Sequence, residues 1–148
     1  MPVAENIDPN VALLMFIPYR AMENRVVAAL DEAGFGGMTV AQRRLFQRIG
    51  HKGSRLTDLA EQAQVTKQAA GFLVDQLERD GFVERAPDPA DGRARLVCYS
   101  ERGTKLVELA TAAGTEVEQE WTEYLGERDM AQLRRLLTKL REITDPYQ

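Results

Sequence analysis

Two short runs hold the residues of this chain best suited to recognition chemistry: Thr66, Lys67, Gln68, Gly71, Phe72 and Arg79, and then Asp88, Asp91, Arg93 and Arg95. If the first run is helical, Gln68, Phe72, Asp75 and Arg79 recur at steps of four, three and four and share one face. Ala70, Leu73, Val74 and Leu77 take the opposite, apolar face, with Lys67 and Gly71 on the flank. The polar face suits the edges of base pairs. A glutamine can pair bidentately with adenine, a lysine can reach a guanine edge or a phosphate, and a phenylalanine can lie on a thymine methyl. Gly71 lets the helix approach a backbone closely, and the free amides at Thr66 and Lys67 suit a phosphate. Asp75 is unfavourable beside DNA unless it orients a neighbouring arginine or lysine.

Other chemistries lack their residues. The single cysteine, Cys98, can form no internal disulfide, and with the single histidine, His51, it leaves too few ligands for a zinc site. No metal, cofactor or catalytic residue is therefore expected: there is no glycine-rich phosphate loop, no metal-ligand spacing and no nucleophile with a paired histidine. His51, beside Gly50, reads as a loop or helix-end contact, and Cys98, in a strand beside Val97 and Tyr99, faces away from both. A run long enough for a membrane span is missing, and Met1–Asn10 lacks the basic flank of a secretory signal, so the expected location is the cytoplasm.

The 148 residues suit one domain, 1–148, with 19 basic and 23 acidic groups and a net charge of −4. An acidic balance taken alone disfavours nucleic acid. Its distribution reverses that inference, because residues 39–103 hold eleven basic and nine acidic groups, whereas 1–38 hold two and five and 104–148 hold six and nine. A mildly basic middle lies between two acidic ends, and contact with nucleic acid depends on which face carries the charge.

The elements that must position these residues follow from periodicity. Val11, Met15, Tyr19, Met22, Val26 and Leu30 describe a helix of about six turns, with Asp8-Pro9 as its start, Gly34 as its end and a kink at Pro18. Thr39 can cap a second helix through Leu45, Phe46 and Ile49 to Gly50. Leu56, Leu59, Ala60 and Ala63 mark a short third helix, and Gln64-Val65-Thr66 turns tightly into a fourth that ends at Gly81. After Gly81 the period shortens to two. Phe82–Arg85 and Arg93–Tyr99 read as strands around a long turn, Pro87–Gly92. Ser100 can cap a helix carrying Leu106, Ala110, Ala113, Val117, Trp121 and Tyr124. Gly126 then separates it from a last amphipathic helix with Met130, Leu133, Leu137, Leu140 and Ile143. The fold class is mainly α with a small β-hairpin wing. A helix-turn-helix followed directly by a hairpin is a winged helix, and its physical use is to place one helix in a major groove.

The segments Val65-Thr66-Lys67, Leu73–Arg85, Asp88-Pro89-Ala90-Asp91-Gly92-Arg93-Ala94-Arg95 and Ser100-Glu101-Arg102-Gly103 resemble the MarR family of winged helix-turn-helix transcriptional regulators. The resemblance is close over 39–103. It implies a DNA-binding lobe there and a homodimer held by helices in 8–34 and 104–145. It also implies recognition helices in successive major grooves of double-stranded DNA, wings in flanking minor grooves, and a repressor role released by a small aromatic or phenolic effector. On this carry-over Arg93 enters the minor groove, Asp91 orients the wing tip through an arginine, and Arg95 meets a phosphate or an acidic side chain. Met15, Tyr19 and Met22, with Trp121 and Tyr124, read first as dimer or core packing and second as the lining of an effector cavity. The glutamates at 116, 118, 120 and 123 read as a solvated face. The chain departs from the family in carrying Gln64 where glycine is frequent, and Gly71 and Phe72 where many members have a hydroxyl and a basic residue. The other class of function open to the same fold is a winged-helix module for protein interaction without specific DNA binding.

Overall fold

A computed structural model describes residues 8–147. Most of the N-terminal stretch used for the signal-peptide reading, and Gln148 at the end of the 1–148 range, lie outside the described residues. The order is α1 (Val11–Glu32), α2 (Val40–Phe46), α3 (Leu56–Ala63), α4 (Lys67–Arg79), β1 (Val83–Asp88), β2 (Asp91–Tyr99), α5 (Glu101–Leu125) and α6 (Glu127–Thr144). All six helices and the hairpin are where the periodicity puts them, and the fold class is a winged helix with long terminal helices.

Local chemistry sets the boundaries. Thr39 and Gln42 form a reciprocal capping box, the Thr39 hydroxyl accepting from Gln42 N at 3.1 Å and the Gln42 side chain from Thr39 N at 2.8 Å. Thr66 accepts from Ala69 N at 3.0 Å and starts α4, and Ser100 accepts from Gly103 N at 3.0 Å and starts α5. Helix α1 is capped by Asn10, whose side chain accepts from Leu13 N at 2.9 Å, rather than by Asp8. It continues through Pro18. Helix α2 stops at Phe46, short of Gly50, because turn-type bonds from Arg48 and Ile49 replace the regular ladder.

The hairpin departs most from expectation. Its strands pair antiparallel from Val83↔Tyr99 to Asp88↔Asp91, with an irregularity after Pro87, so only Pro89 and Ala90 lie outside the strands. The long turn inferred from Pro87–Gly92 is a tight one, because Pro87 and Asp88 are themselves in the ladder.

The core sits in the lobe. Leu45, Phe46, Ile49, Leu59, Ala70, Val74, Leu77, Phe82, Val83 and Val97 are buried together, joined by Leu30 from α1 and Leu106 from α5. The far ends of the long helices differ. Every residue from Val11 to Arg20 is exposed, and on α6 only Met130 is buried while Leu133, Leu136, Leu137, Leu140 and Ile143 are open. These apolar side chains are only partly covered within the described residues. The glutamates of α5 do more than face solvent: Glu120 accepts two bonds from Arg25 of α1, at 2.8 and 2.9 Å, and Glu118 pairs with Arg134 of α6.

Among the described residues no helix is long and apolar enough to cross a membrane.

Candidate nucleic-acid interface

Helix α4 presents the face inferred from its spacing. Ala70, Val74 and Leu77 are buried, while Lys67, Gln68, Phe72, Asp75 and Arg79 are exposed. The turn before α4 is closed by Gln64 in the left-handed conformation, φ 56° and ψ 45°, the single non-glycine residue with positive φ among those described. A side chain there costs about 1 kcal/mol relative to glycine. The Gln64 amide partly offsets this by donating to Glu61 O at 2.7 Å. The Thr66 hydroxyl accepts from Ala69 N in the cap, which leaves its O–H able to donate to an anion alongside the backbone amides. The amides of the first turn are the ones that point outward from any helix start.

Asp75 does not stand alone on this face. Arg85 of β1 donates to Asp75 Oδ1 at 2.7 Å and to Glu78 Oε1 at 2.9 Å, holding both acids of α4. This fork joins the recognition helix to the wing and sets one positive charge against the two carboxylates of α4. Arg85 belongs to the same strand motif that carried the resemblance, but its partners lie seven and ten residues away and only the fold brings them together.

The wing is pinned beside its turn by a pair that sequence reasoning missed. Arg55, immediately before α3, donates through Nε and Nη2 to Asp88 Oδ2 at 2.9 and 2.7 Å, and Asp88 Oδ1 accepts from Ala90 N at 2.9 Å. The Ala90 amide first, and then the Arg55 guanidinium, hold the Asp88 carboxyl below its usual range. Asp88 is buried. It is therefore a structural clasp, not part of an exposed tip. Asp91 also differs from expectation: its Oδ1 accepts from Arg93 N at 3.0 Å, a backbone bond that shapes the start of β2, and the arginine-mediated role assigned to it belongs to Asp88. The signal for this was an acid at each end of the Asp-Pro-x-Asp run. Nothing in their spacing told which would turn inward.

Arg93 and Arg95 are exposed, and no salt bridge engages either among the described residues. The clasp leaves two guanidinium groups displayed on one side of a rigid two-stranded hairpin, beside a helix with an outward polar face. His51 is in an exposed loop. Cys98, half-buried in β2, packs its sulfur towards Gly53, where a Cβ would meet it at 2.7 Å. Among the described residues no three histidine, cysteine or carboxylate side chains gather as a metal site.

The residues assigned to an effector separate into two places. A cavity of about 410 Å³ opens between α1, α5 and the lobe, lined by Tyr19, Met22, Val26, Arg43, Phe46 and Tyr99 among others. Met15 is not on it. Met15 lines an apolar groove of about 840 Å³ formed with Phe16, Trp121, Tyr124, Leu133 and Leu137, to which Tyr19 and Met22 also contribute. Burial raises the Tyr99 phenol to about 12, and its hydroxyl donates to Phe46 O at 2.7 Å. Burial first, and then the Glu23 carboxylate that its hydroxyl meets at 3.1 Å, raise the Tyr19 phenol.

A helix-turn-helix with a clasped hairpin that displays two arginines defines a winged-helix DNA-binding protein. Residues 36–94 match the MarR family. Transcriptional regulator HosA of Escherichia coli O111:H- is 29% identical over 104 residues, covering 70% of this chain and 77% of its own. Against curated mycobacterial regulators at 39% identity the chain spans about half their length, 52%. The apo structure of MarR from E. coli superposes with a TM-score of 0.66 at 25% identity, covering 89% of this chain and 97% of that one. NadR in complex with 4-hydroxyphenylacetate shares the fold, with a TM-score of 0.67 at 24% identity over 97% and 99% of the two chains. The chain belongs to the MarR family and is a transcriptional regulator of the winged-helix class.

Proposed function

We propose that this regulator is a cytoplasmic, ligand-responsive repressor that binds a pseudo-palindromic operator as a homodimer. The observation that carries the reading is the pairing of an exposed α4 face, with its acids held by Arg85, and a clasped wing displaying Arg93 and Arg95. Lys67, Gln68 and Phe72 meet the major groove, Gly71 permits close approach, and the amides at Thr66 and Lys67 take a phosphate. Arg79 and Arg95 contact phosphates, Arg93 enters the flanking minor groove, where a narrow groove has enhanced negative potential, and Asp91 shapes the strand that presents it.

The open apolar faces of α1 and α6 support the homodimer. Leu133, Leu137 and Ile143 on α6 and Leu14 and Phe16 on α1 are 39–86% exposed in the single chain, more apolar surface than a solvated helix pair retains. Helices within 8–34 and 104–145 therefore form the dimer, and 39–103 the DNA-binding lobe, of one domain. Two-fold symmetry then places half-sites about one helical turn, roughly 34–36 Å, apart.

The cavity beside Tyr19, Met22 and Tyr99 is of a size that suits a small aromatic ligand. NadR's 4-hydroxyphenylacetate makes phenolic acids the first effector class to try. Met15 serves the dimer groove instead.

The test is selection of genomic fragments by the purified protein, then binding of the selected duplex by wild type and Arg93→Ala at several salt concentrations. Sequence enrichment, binding as a dimer, and a salt slope reduced by about 1 for each arginine removed support the reading. A dimer that enriches no sequence at low salt refutes it in favour of a protein-interaction module.

A further inference from the structure

Most large apolar side chains exposed in this chain lie on α1, α6 and the end of α5, where a second copy accounts for them. Within the lobe two remain, Val40 and Phe72, and Phe72 is the more open at 62%. It stands on the outward face of α4, four residues after Gln68 and three before Asp75, away from every dimer helix face. Among the described residues no ring or cation is stacked on it. A Cβ at its neighbour Gly71 would meet only Leu56 Cδ2, at 3.8 Å. The nearest acid, Asp75, is turned to Arg85.

In the major groove every base-pair edge offers polar donors and acceptors, and a single apolar group occurs there, the C5 methyl of thymine. An aromatic ring carried into that groove has one apolar partner available. We propose that Phe72 is a specificity-determining residue of this regulator and selects thymine at one position of each half-site through that methyl. This rests on the DNA-binding reading above. The chain thus replaces a polar base contact by an apolar one, with Gly71 allowing the ring to come close enough.

The experiment takes a duplex selected by the full-length protein from a random pool and replaces each thymine in turn by deoxyuridine, which deletes the methyl and keeps every hydrogen-bonding group. Wild type is expected to lose about 4-fold in affinity at one position per half-site, the value of one buried methyl-sized group, and about 15-fold when both half-sites are changed. Phe72→Ala is expected to bind thymine and deoxyuridine duplexes equally at that position, and Phe72→Leu to keep a preference of 2-fold or more. Both variants change an exposed side chain, and unaltered melting confirms that they fold. An enriched sequence with no uridine-sensitive position, or equal sensitivity in wild type and Phe72→Ala, overturns this inference alone. Failure to enrich any sequence overturns the DNA-binding reading beneath it as well.

Discussion

Gly103 is the third residue of α5, and a helix-propensity argument says that Gly103→Ala should stabilise the protein by about 1 kcal/mol. The structure predicts the opposite sign. A Cβ at this position falls inside van der Waals contact of the Phe82 carbonyl oxygen and 3.1 Å from its carbonyl carbon. Both are backbone atoms, so no flexible side chain can yield. The same carbonyl accepts from Ser100 N at 3.1 Å, and the Ser100 hydroxyl donates to Gly81 O at 2.5 Å while accepting from Gly103 N at 3.0 Å. Moving α5 away from Phe82 therefore opens a buried knot that seats the helix on the base of the wing. Losing the cap costs about 1 kcal/mol, and leaving one buried backbone group unpaired costs about 1–3 kcal/mol. Against the propensity gain, the net loss is about 1–3 kcal/mol, or roughly 3–10 °C in Tm for a chain of this size. Urea and thermal unfolding at matched protomer concentration measure it, since dimerisation makes stability concentration-dependent. A Gly103→Ala protein as stable as wild type, or more so, refutes the close-approach argument and returns this glycine to an ordinary helix position.

Gln64→Gly should raise stability by up to about 1 kcal/mol, because glycine accepts the left-handed conformation without the Cβ clash and the bond lost to Glu61 O is exposed; a lowered Tm would show that the Gln64 amide outweighs the strain. Tyr99, whose phenol is raised from 10.0 to about 12 by burial, contributes stability that is complete below pH 10 and is lost as the pH climbs through 12. The advantage of wild type over Tyr99→Phe in urea unfolding should therefore shrink between pH 9 and 12, and a constant difference across that range would exclude titration of this hydroxyl as its source.

Gln68, Phe72, Asp75 and Arg79 could be assigned to one exposed face because a helix repeats every 3.6 residues and Ala70, Val74 and Leu77 claim the other side. Thr39 and Ser100 could be identified as caps because the signal is local, a hydroxyl three residues before the amide it receives. The hairpin tip could not be read the same way. Proline and aspartate signal a turn, and Pro87 and Asp88 nonetheless continue β1, since pairing with β2 and burial of Asp88 against Arg55 outweigh their propensity.

Local pattern in this chain was enough to determine its elements, their order, the polar face of α4 and the arginines of the wing. The tertiary structure decided which charges remain available on that surface. Arg85 is withdrawn into a fork with Asp75 and Glu78, Arg55 into a clasp with Asp88, and Arg25 into a pair with Glu120, so Arg93 and Arg95 are left displayed. Whether a charged residue meets a partner depends on groups brought close from 7 to 95 residues away. Periodicity carries no information about such distances, because the chain's path through space, and not its local repeat, sets them.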